Sequence, residues 1–368
     1  MRAFRYWIMV FLQYRKSVFF LSAICIIQVL FTGCLGSGVA EATQVTETHL
    51  LADSSFTITD STGRIYQFDT PATRIVSQND DATELLIALG AADKIVGITD
   101  TAMKKRYLVE KVPQAKSIGD WLYPDIETIL ALKPDVIVAY STSKPRNLDK
   151  LQNASITIIY CDSYRLNTLM ADAELIGKLT GNEETAQEFI DFNKKYLSLV
   201  QSRLSDNASA EARVYAEAYT DYSVMTQRSA GGNVLETLHV RNIYGNHTSD
   251  WATVSPEWLI AENPDVIIKF STDPVKGEHL SSVRGRIMNR TGYATISAVK
   301  NDRVYVINGE IGSSPRAMIG LVYAAKAIYP ERFKDIDPME ILIEYDRKFV
   351  ANSTDFKDAF EPLLKKEI

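Results

Sequence analysis

The stretch Asp-Ile-Glu-Thr-Ile-Leu-Ala-Leu-Lys-Pro-Asp-Val-Ile-Val at residues 125–138 decides the fold of this chain, because it occurs twice. The second copy, at residues 255–268, reads Ser-Pro-Glu-Trp-Leu-Ile-Ala-Glu-Asn-Pro-Asp-Val-Ile-Ile. Each copy predicts a short amphipathic helix that a proline ends ahead of a buried β-strand. The copies lie too far apart for a solenoid repeat, so they indicate two lobes of similar architecture.

Length and composition agree with two globular lobes. The chain has 368 residues, of which 46% are hydrophobic and 23% are charged, as in soluble globular proteins with ordinary cores. The net charge is −6, and no stripe of Lys and Arg alternates with aromatic residues. Because nucleic-acid binding requires a basic surface, nucleic acid is not expected as a partner.

The N-terminal residues are typical of an export signal. Basic residues precede an apolar run at residues 18–31, which is short for a spanning helix and ends in Phe31-Thr32-Gly33-Cys34. We therefore expect a signal peptide at residues 1–33 and a flexible linker at residues 34–54, anchored by a lipid on Cys34. The alternative is an uncleaved membrane anchor, and both place the remaining chain outside the cytoplasm. Cys161 is then alone, which favours a small buried side chain and excludes a disulfide framework.

Strands that alternate with helices predict an α/β fold with parallel sheets. The N-terminal lobe is expected at residues 55–166. It begins with a hairpin that turns around Asp60–Gly63 and precedes the first strand of the parallel sheet. Asp81 and Glu84 have the spacing of a capping box at the start of the first helix. An inter-lobe segment at residues 167–207 contains one predicted helix at 183–204, about 33 Å long at 1.5 Å per residue. The C-terminal lobe is expected at residues 208–368.

The C-terminal lobe repeats the pattern of the first. Strands are expected at residues 213–218 and 303–307, on either side of the second repeat copy. A helix is expected to begin at Pro315, after a serine cap, and to continue to Ile328, and another is expected at residues 338–350.

Six stretches together resemble a known family. They are residues 71–77 (Pro-Ala-Thr-Arg-Ile-Val-Ser), residues 85–90 (Leu-Leu-Ile-Ala-Leu-Gly), the two Pro-Asp-Val-Ile repeats, residues 254–258 and residues 314–316. From Pro71 to Val350 the chain resembles substrate-binding proteins of ABC importers, of the class with a rigid helical backbone that binds ferric siderophores, haem or cobalamin. The resemblance implies two Rossmann-like αβ lobes joined by a single long rigid helix, with the ligand cleft between the lobes.

Motifs of enzymes and of metal sites are not supported by their context. Ser141-Thr142-Ser143-Lys144 and Ser205-Asp206-Asn207 match two motifs of penicillin-binding enzymes, but the first runs into Pro145 and no Lys-Thr-Gly exists. The four histidines have no metal-ligand spacing. We therefore expect neither catalysis nor a site for a bare metal ion.

Candidate ligand contacts follow the carboxyl ends of the predicted strands, where α/β proteins bind ligands. Aromatic rings suit a flat or chelated ligand, and arginines suit its acidic groups. The alternatives are aromatic residues of the lobe core and arginines that are solvated charges at helix ends. The predicted ligand-binding residues are Asn79, Trp121, Tyr123, Tyr140, Tyr222, Arg228, Trp251 and Arg316.

Glu127 and Glu257 occupy the same position in the two repeat copies. A glutamate in the first turn of a helix is usually only a favourable contact with the helix dipole. The resemblance implies instead that these two residues, one on each lobe, dock onto arginines of the membrane permease.

The expected protein is a monomeric receptor on the outer face of the cytoplasmic membrane. It delivers a chelated iron or cobalt compound to an ABC permease and its ATPase, and has no covalently bound cofactor. The alternatives are a surface sensor or scaffold with the same fold, a protein that binds a bare metal ion, and an unrecognised enzyme.

Overall fold

The computed structural model describes residues 55–204, 212–227, 229–245, 251–272 and 279–350. It begins with the predicted hairpin, whose antiparallel strands are β1 (Phe56–Thr59) and β2 (Ile65–Phe68). Among the described residues, no helix has the length and apolar character needed to cross a bilayer.

Five parallel strands form the sheet of the N-terminal lobe. They are β3 (Ile75–Ser77), β4 (Ile95–Ile98), β5 (Lys116–Ser117), β6 (Val136–Ala139) and β7 (Thr157–Tyr160). The helices of this lobe are α1 (Asp80–Ala88), α2 (Asp100–Met103), α3 (Arg106–Val109), α4 (Ile126–Leu132), α5 (Leu148–Asn153) and α6 (Leu169–Thr180). The strand order is β5-β4-β3-β6-β7, so the direction of winding reverses between β3 and β6.

The sheet of the C-terminal lobe mixes parallel and antiparallel pairs. Its strands are β8 (Arg213–Glu217), β9 (Ser223–Met225), β10 (Arg241–Asn242), β11 (Trp251–Thr253), β12 (Val266–Ser271) and β13 (Val304–Asn308). The order is β11-β9-β8-β12-β13, with β10 also paired to β8. Strands β9 and β11 run antiparallel, whereas β8, β10, β12 and β13 pair in parallel.

The helices of the C-terminal lobe cover both faces of its sheet. They are α8 (Ala230–Thr237), α9 (Pro256–Glu262), α10 (Leu280–Met288), α11 (Ser297–Lys300), α12 (Gly309–Gly312), α13 (Ala317–Ile328) and α14 (Pro338–Tyr345), and a π-helical turn at Asp346–Val350 follows. The reversal of winding in this lobe lies between β8 and β12.

The two copies of the repeat fold alike, as the sequence predicts. Asp125 caps α4 and Ser255 caps α9, each by accepting a hydrogen bond from a backbone N–H of the first turn. Each helix ends at a left-handed residue, Lys133 with φ 49° and Asn263 with φ 46°. Local signals of capping and termination therefore produce the same unit in both lobes.

The aspartate of each Pro-Asp pair ties its helix to the first strand of its lobe. The carboxylate of Asp135 accepts from the backbone N–H of Arg74 at 2.9 Å, and that of Asp265 accepts from the N–H of Arg213 at 2.9 Å. In return, the N–H of each aspartate donates to the carbonyl oxygen of the same arginine. The repeated aspartate is thus a structural residue that fixes how each middle strand lies beside the first.

The predicted bridging helix is present as α7 (Glu183–Leu204), which has 22 residues. It buries Phe189, Asn193, Tyr196 and Val200 on one face, as its periodicity predicts. Near its N-terminus it follows and packs on α6, and farther along, the ammonium of Lys195 lies 2.9 Å from Glu344 of α14. The helix therefore contacts elements of both lobes.

Helix α14 and the π-helical turn at Asp346–Val350, together the C-terminal segment, form a second connection between the lobes. Tyr345 and Phe349 pack against Phe189 and Phe192 of α7, with ring centroids 5.3–6.2 Å apart. The hydroxyl of Tyr345 also lies 3.5 Å from Glu84 of α1. Residues from both sheets share one continuous hydrophobic core with these rings.

Two predicted helix starts are wrong. Helix α1 begins at Asp80, and its cap is Asn79, whose side chain accepts from the N–H of Ala82, so Asp81 and Glu84 form no capping box. Pro315 does not begin a helix that continues to Ile328, because the chain forms the separate turn α12 first and α13 starts only at Ala317.

Candidate ligand-binding site

A cavity of about 450 Å³ opens where the carboxyl ends of both sheets meet. Residues after β3 and β6, at the reversal of winding in the N-terminal lobe, line one side, and residues after β8, β12 and β13 line the other. Ligands of open α/β sheets bind at such reversals. The lining residues are Asp80, Asp81, Thr101, Lys105, Trp121, Tyr140, Thr142, Ser143, Tyr164, Arg165, Tyr219, Ser229, Ala230, Thr272, Gly309, Glu310 and Ser313.

Aromatic side chains form one wall of the cavity. The ring of Tyr140 contacts Trp121 edge to face at 6.1 Å and Tyr164 at 5.9 Å. Such contacts fix the orientation of the rings and leave flat apolar surface for a ligand. Trp121 and Tyr140, both predicted ligand-binding residues, therefore lie together on the cavity wall.

The floor of the cavity is a network of charged side chains. Lys105 lies 3.4 Å from Asp80 and 3.1 Å from Glu310, and Tyr107 also donates to Glu310 at 3.1 Å. Burial alone would lower the pKa of Lys105, but Glu310 and Asp80 outweigh burial and raise it. The ammonium therefore stays charged and holds residues of both lobes.

Asp81 is an acidic residue of the cavity whose pKa lies well above its usual value. Its carboxylate accepts from the hydroxyl of Tyr140 at 2.8 Å. Burial raises the pKa of Asp81 to about 8, because the stabilising effects of Lys105 and of this hydrogen bond are smaller than the cost of removing the charge from water. The partly buried carboxyl of Asp81 therefore holds its proton more tightly than a carboxyl in water does.

Arg316 lies behind the floor and does not line the cavity. Its side chain is completely buried, with Nη2 2.6 Å from Glu84 and 3.1 Å from the Tyr107 hydroxyl. This corrects the prediction of direct ligand contact by Arg316. The arginine neutralises a buried carboxylate of the other lobe, and removing it would leave that charge unpaired.

Three further predicted residues lie elsewhere. Asn79 is buried beneath the cavity, where its amide caps α1 and donates to the carbonyl oxygen of Cys161 at 2.6 Å. Tyr123 is 62% exposed and lies outside the cavity lining. Tyr222 packs in the C-terminal lobe, with the Arg290 guanidinium 4.5 Å from its ring centroid. None of the three lines the described cavity.

The remaining predicted positions are only partly within the described residues. Arg228 and Cys34 lie outside them, so their predicted roles stay predictions. Trp251 belongs to β11, where its backbone pairs with Met225. Glu127 and Glu257 are both exposed in the first turns of α4 and α9, in equivalent positions of the two lobes.

Sequence reasoning missed the charged floor. Lys105 and Glu310 lie in short segments that carry no strong pattern, and neither was a candidate. The sequence contains only an indirect signal for this floor. Asp80 and Asp81 begin α1, just after the first strand of the lobe's sheet, where α/β proteins bind ligands. This acidic pair could therefore have been recognised as part of the site.

Features of other site types do not assemble in the described part of the chain. No group of three or more His, Cys, Asp or Glu side chains has the arrangement of a metal site there. Ser141 donates to Asp162 at 2.6 Å, and the ammonium of Lys144 lies over the ring of Tyr160, at 4.6 Å. The Ser-x-x-Lys match therefore lacks the serine–lysine contact that its chemistry requires.

Comparisons with known proteins agree with this geometry. A family model described as "Periplasmic binding protein" matches residues 75–310. An ABC transporter substrate-binding lipoprotein of Bacillus subtilis, YvrC, is 29% identical over 290 residues, which cover 76% of this chain and 87% of the relative. A vitamin B12-binding protein of Vibrio cholerae is 27% identical over 246 residues, covering 65% of this chain and 82% of the relative.

A solved structure extends the comparison to the fold. The molybdate-binding protein MolA of Haemophilus influenzae, in complex with molybdate, superposes with a TM-score of 0.68 at 23% identity, covering 81% of this chain and 98% of that one. This similarity confirms the prediction of two αβ lobes with a long connecting helix. The proteins found by these comparisons are binding proteins of transporters and not enzymes.

Proposed function

We propose, from the premise that this chain belongs to the periplasmic binding protein family and is a substrate-binding protein of an ABC transporter, that its ligand is a chelated metal compound. The candidates are a ferric siderophore, haem and a corrinoid. The ligand occupies the cavity between the lobes and is handed to the membrane permease without chemical change.

The aromatic wall of the cavity is the observation that carries this proposal. A volume of about 450 Å³ is within the usual range of about 300–1,000 Å³ for small-molecule pockets. The rings of Trp121, Tyr140 and Tyr164 offer stacking surface along one side, which suits the extended organic part of a chelate. The vitamin B12-binding relative is consistent with a ligand of this kind.

A bare oxyanion fits the cavity less well. Three carboxylate side chains, Asp80, Asp81 and Glu310, line it, and Lys105 is already shared between two of them. An oxyanion such as the molybdate bound by MolA would have to approach Asp80 and Glu310, with a cost from like-charge repulsion.

Thermal unfolding of the purified protein with a ligand panel tests the proposal. The panel contains a ferric trihydroxamate, a ferric catecholate, haem, cobalamin and molybdate. A true ligand at a hundredfold excess over its Kd adds about 2.7 kcal/mol to the native state and raises the midpoint. Stabilisation by molybdate alone, with no response to any chelate, would overturn the proposal.

Transport and anchoring need experiments in cells. If the protein serves an importer, deleting its gene should abolish uptake of the identified ligand, whereas unchanged uptake would favour a sensor. If Cys34 carries the anchor, Cys34→Ser should not incorporate labelled lipid, and incorporation into that variant would disprove the assignment. Since one acyl chain binds membranes only marginally, more than one chain is expected.

A further inference from the structure

Asp81 differs from the other carboxylates of the cavity in having no Lys or Arg of the described residues within 4.0 Å. Asp80 pairs with Lys105, and Glu310 pairs with Lys105 and receives a hydrogen bond from Tyr107. Among the described residues, the Asp81 carboxylate has one hydrogen-bond donor, the neutral hydroxyl of Tyr140, and no Lys or Arg within 4.0 Å. Asp81 is therefore the one lining carboxylate of the described cavity without a cation at ion-pair distance.

The neighbouring cations are committed to other groups. Lys105 bridges two carboxylates, and Arg316, behind the floor, is bound to Glu84. The guanidinium of Arg165 lies 5.5 Å from the ring centroid of Tyr164, and its Nε donates to the Tyr164 hydroxyl at 3.2 Å. An ionised Asp81 would thus give the described site a net excess of negative charge.

We propose that Asp81 determines specificity by pairing with a positively charged group of the ligand, so that the chelate carried by this protein is cationic and not anionic. This inference rests on the proposed function and narrows its ligand class. The aromatic rings act in the same direction, because the faces of Trp121, Tyr140 and Tyr164 attract cations. The Asp81 carboxylate and the three rings therefore both favour a positively charged ligand at this wall.

Proton release accompanies binding in this arrangement. The groups that face Asp81 are Asp80, Lys105, Tyr140, Tyr219 and Glu310, and burial raises the pKa of Asp81 to about 8. A ligand cation stabilises the carboxylate form, so the proton leaves Asp81 for solvent as the cation arrives. The affinity for a cationic ligand should therefore rise with pH up to about pH 8 and then level off, and the affinity for an anionic ligand should not.

A matched pair of ligands tests the charge directly. The first is ferrioxamine B, a ferric trihydroxamate with a free ammonium arm, and the second is the same complex with that amine acetylated and hence neutral. At pH 8 the wild-type protein should bind the cationic complex about tenfold or more tightly than the neutral one, as expected for one hydrogen bond between charged groups. Titration of the purified protein, followed by intrinsic fluorescence, gives both constants.

Variants and pH then assign the effect to Asp81. Asp81→Asn should remove the preference for the cationic complex, whereas Asp93→Asn, which removes the same charge from an exposed residue outside the cavity, should keep it. In the wild-type protein the affinity for the cationic complex should rise by up to about tenfold per pH unit between pH 6 and 8, as one proton is released. This pH series needs no variant, so it decides the question even if Asp81→Asn does not fold.

The outcomes separate this inference from the proposed function. Equal affinity for the two trihydroxamates, or a preference that persists in Asp81→Asn, overturns the role of Asp81 but leaves chelate binding intact. Tightest binding of a ferric catecholate or of haem, both anionic, does the same. If no chelate of any charge binds, the proposed function fails, and the inference fails with it.

Discussion

The ammonium group of Lys105, on the N-terminal lobe, lies 3.1 Å from Oε2 of Glu310, on the C-terminal lobe. The two side chains are only 13% and 14% exposed, so water screens this pair weakly. Lys105 also lies 3.4 Å from Asp80, which places one positive charge between carboxylates of both lobes. The contact joins the lobes at the floor of the cavity, where the ligand would rest.

Replacing Lys105 should destabilise the protein strongly. Lys105→Met leaves the largely buried Asp80 without its cation and leaves Glu310 only the more distant Arg316, at 3.8 Å. Breaking a buried pair on one side costs about 3–5 kcal/mol. Urea unfolding followed by circular dichroism measures the loss. Lys178→Met is the control, because its partner Glu174 lies one helical turn away in an exposed pair worth about 0.3–0.5 kcal/mol. Equal losses for the two variants would contradict a structural role for Lys105.

The stability of the empty protein should fall as pH rises. Burial raises the folded-state pKa of Asp81 from 3.8 to about 8, so the folded protein holds this proton more tightly than the unfolded chain. The resulting stabilisation is complete below about pH 4 and is lost progressively up to about pH 8. Asp81→Asn should flatten this part of the profile, and Asp93→Asn should leave it unchanged. Thermal midpoints measured between pH 5 and 9 would test this, and parallel profiles for wild type and Asp81→Asn would exclude it.

Glu127 and Glu257 should affect delivery and not binding. Both are exposed, and neither lines the cavity, so the double change to Ala should leave ligand affinity unaltered while uptake by cells is lost. Glu→Arg at either position should reduce uptake more than Glu→Ala, because it places like charges opposite each other. Glu188→Ala with Glu340→Ala removes two other exposed glutamates and serves as the control. Normal uptake by the double alanine variant would show that Glu127 and Glu257 only interact favourably with the dipoles of their helices.

Ligand binding should change the overall dimensions of the protein very little. The unbroken helix α7 resists hinge closure, and small-angle scattering should give nearly the same radius of gyration with and without ligand. Lys194→Gly with Ser198→Gly, both at exposed positions of α7, should cost about 1 kcal/mol per glycine and loosen the lobes. The same positions changed to Ala control for loss of the side chains. A large contraction of the wild-type protein on ligand addition would show that α7 does not hold the lobes apart.

The repeat units were predictable because their causes are local. In α4 and α9 the cap, the apolar face and the terminating Pro-Asp lie within a single stretch of the chain, so each half could be recognised without knowledge of the other. Helix α7 was predicted with its correct bounds for the same reason, since a long periodic pattern without Gly or Pro leaves little choice.

The site could be predicted only in part, because its contacts are distant in sequence. Lys105 and Glu310 are separated by 205 positions, and Arg316 and Glu84 by 232, so no local pattern records either pair. Arg316 was expected to contact the ligand because arginine pairs with acidic groups, and nothing near it in the sequence shows that Glu84 is its partner instead. Trp121 and Tyr140 were expected in segments beyond strand ends, and both line the cavity.

The hydrophobic core shared by both sheets, α7 and the C-terminal segment predicts that the two-lobed protein unfolds as a single cooperative unit. Val138 of one sheet and Phe270 of the other belong to the same packed cluster, so neither lobe can lose its structure without exposing apolar surface of its neighbour. The two repeat copies therefore mark two lobes of similar architecture but are not expected to mark two independently folding domains. Calorimetry should give one transition whose calorimetric and van't Hoff enthalpies agree, and a lobe expressed alone should aggregate.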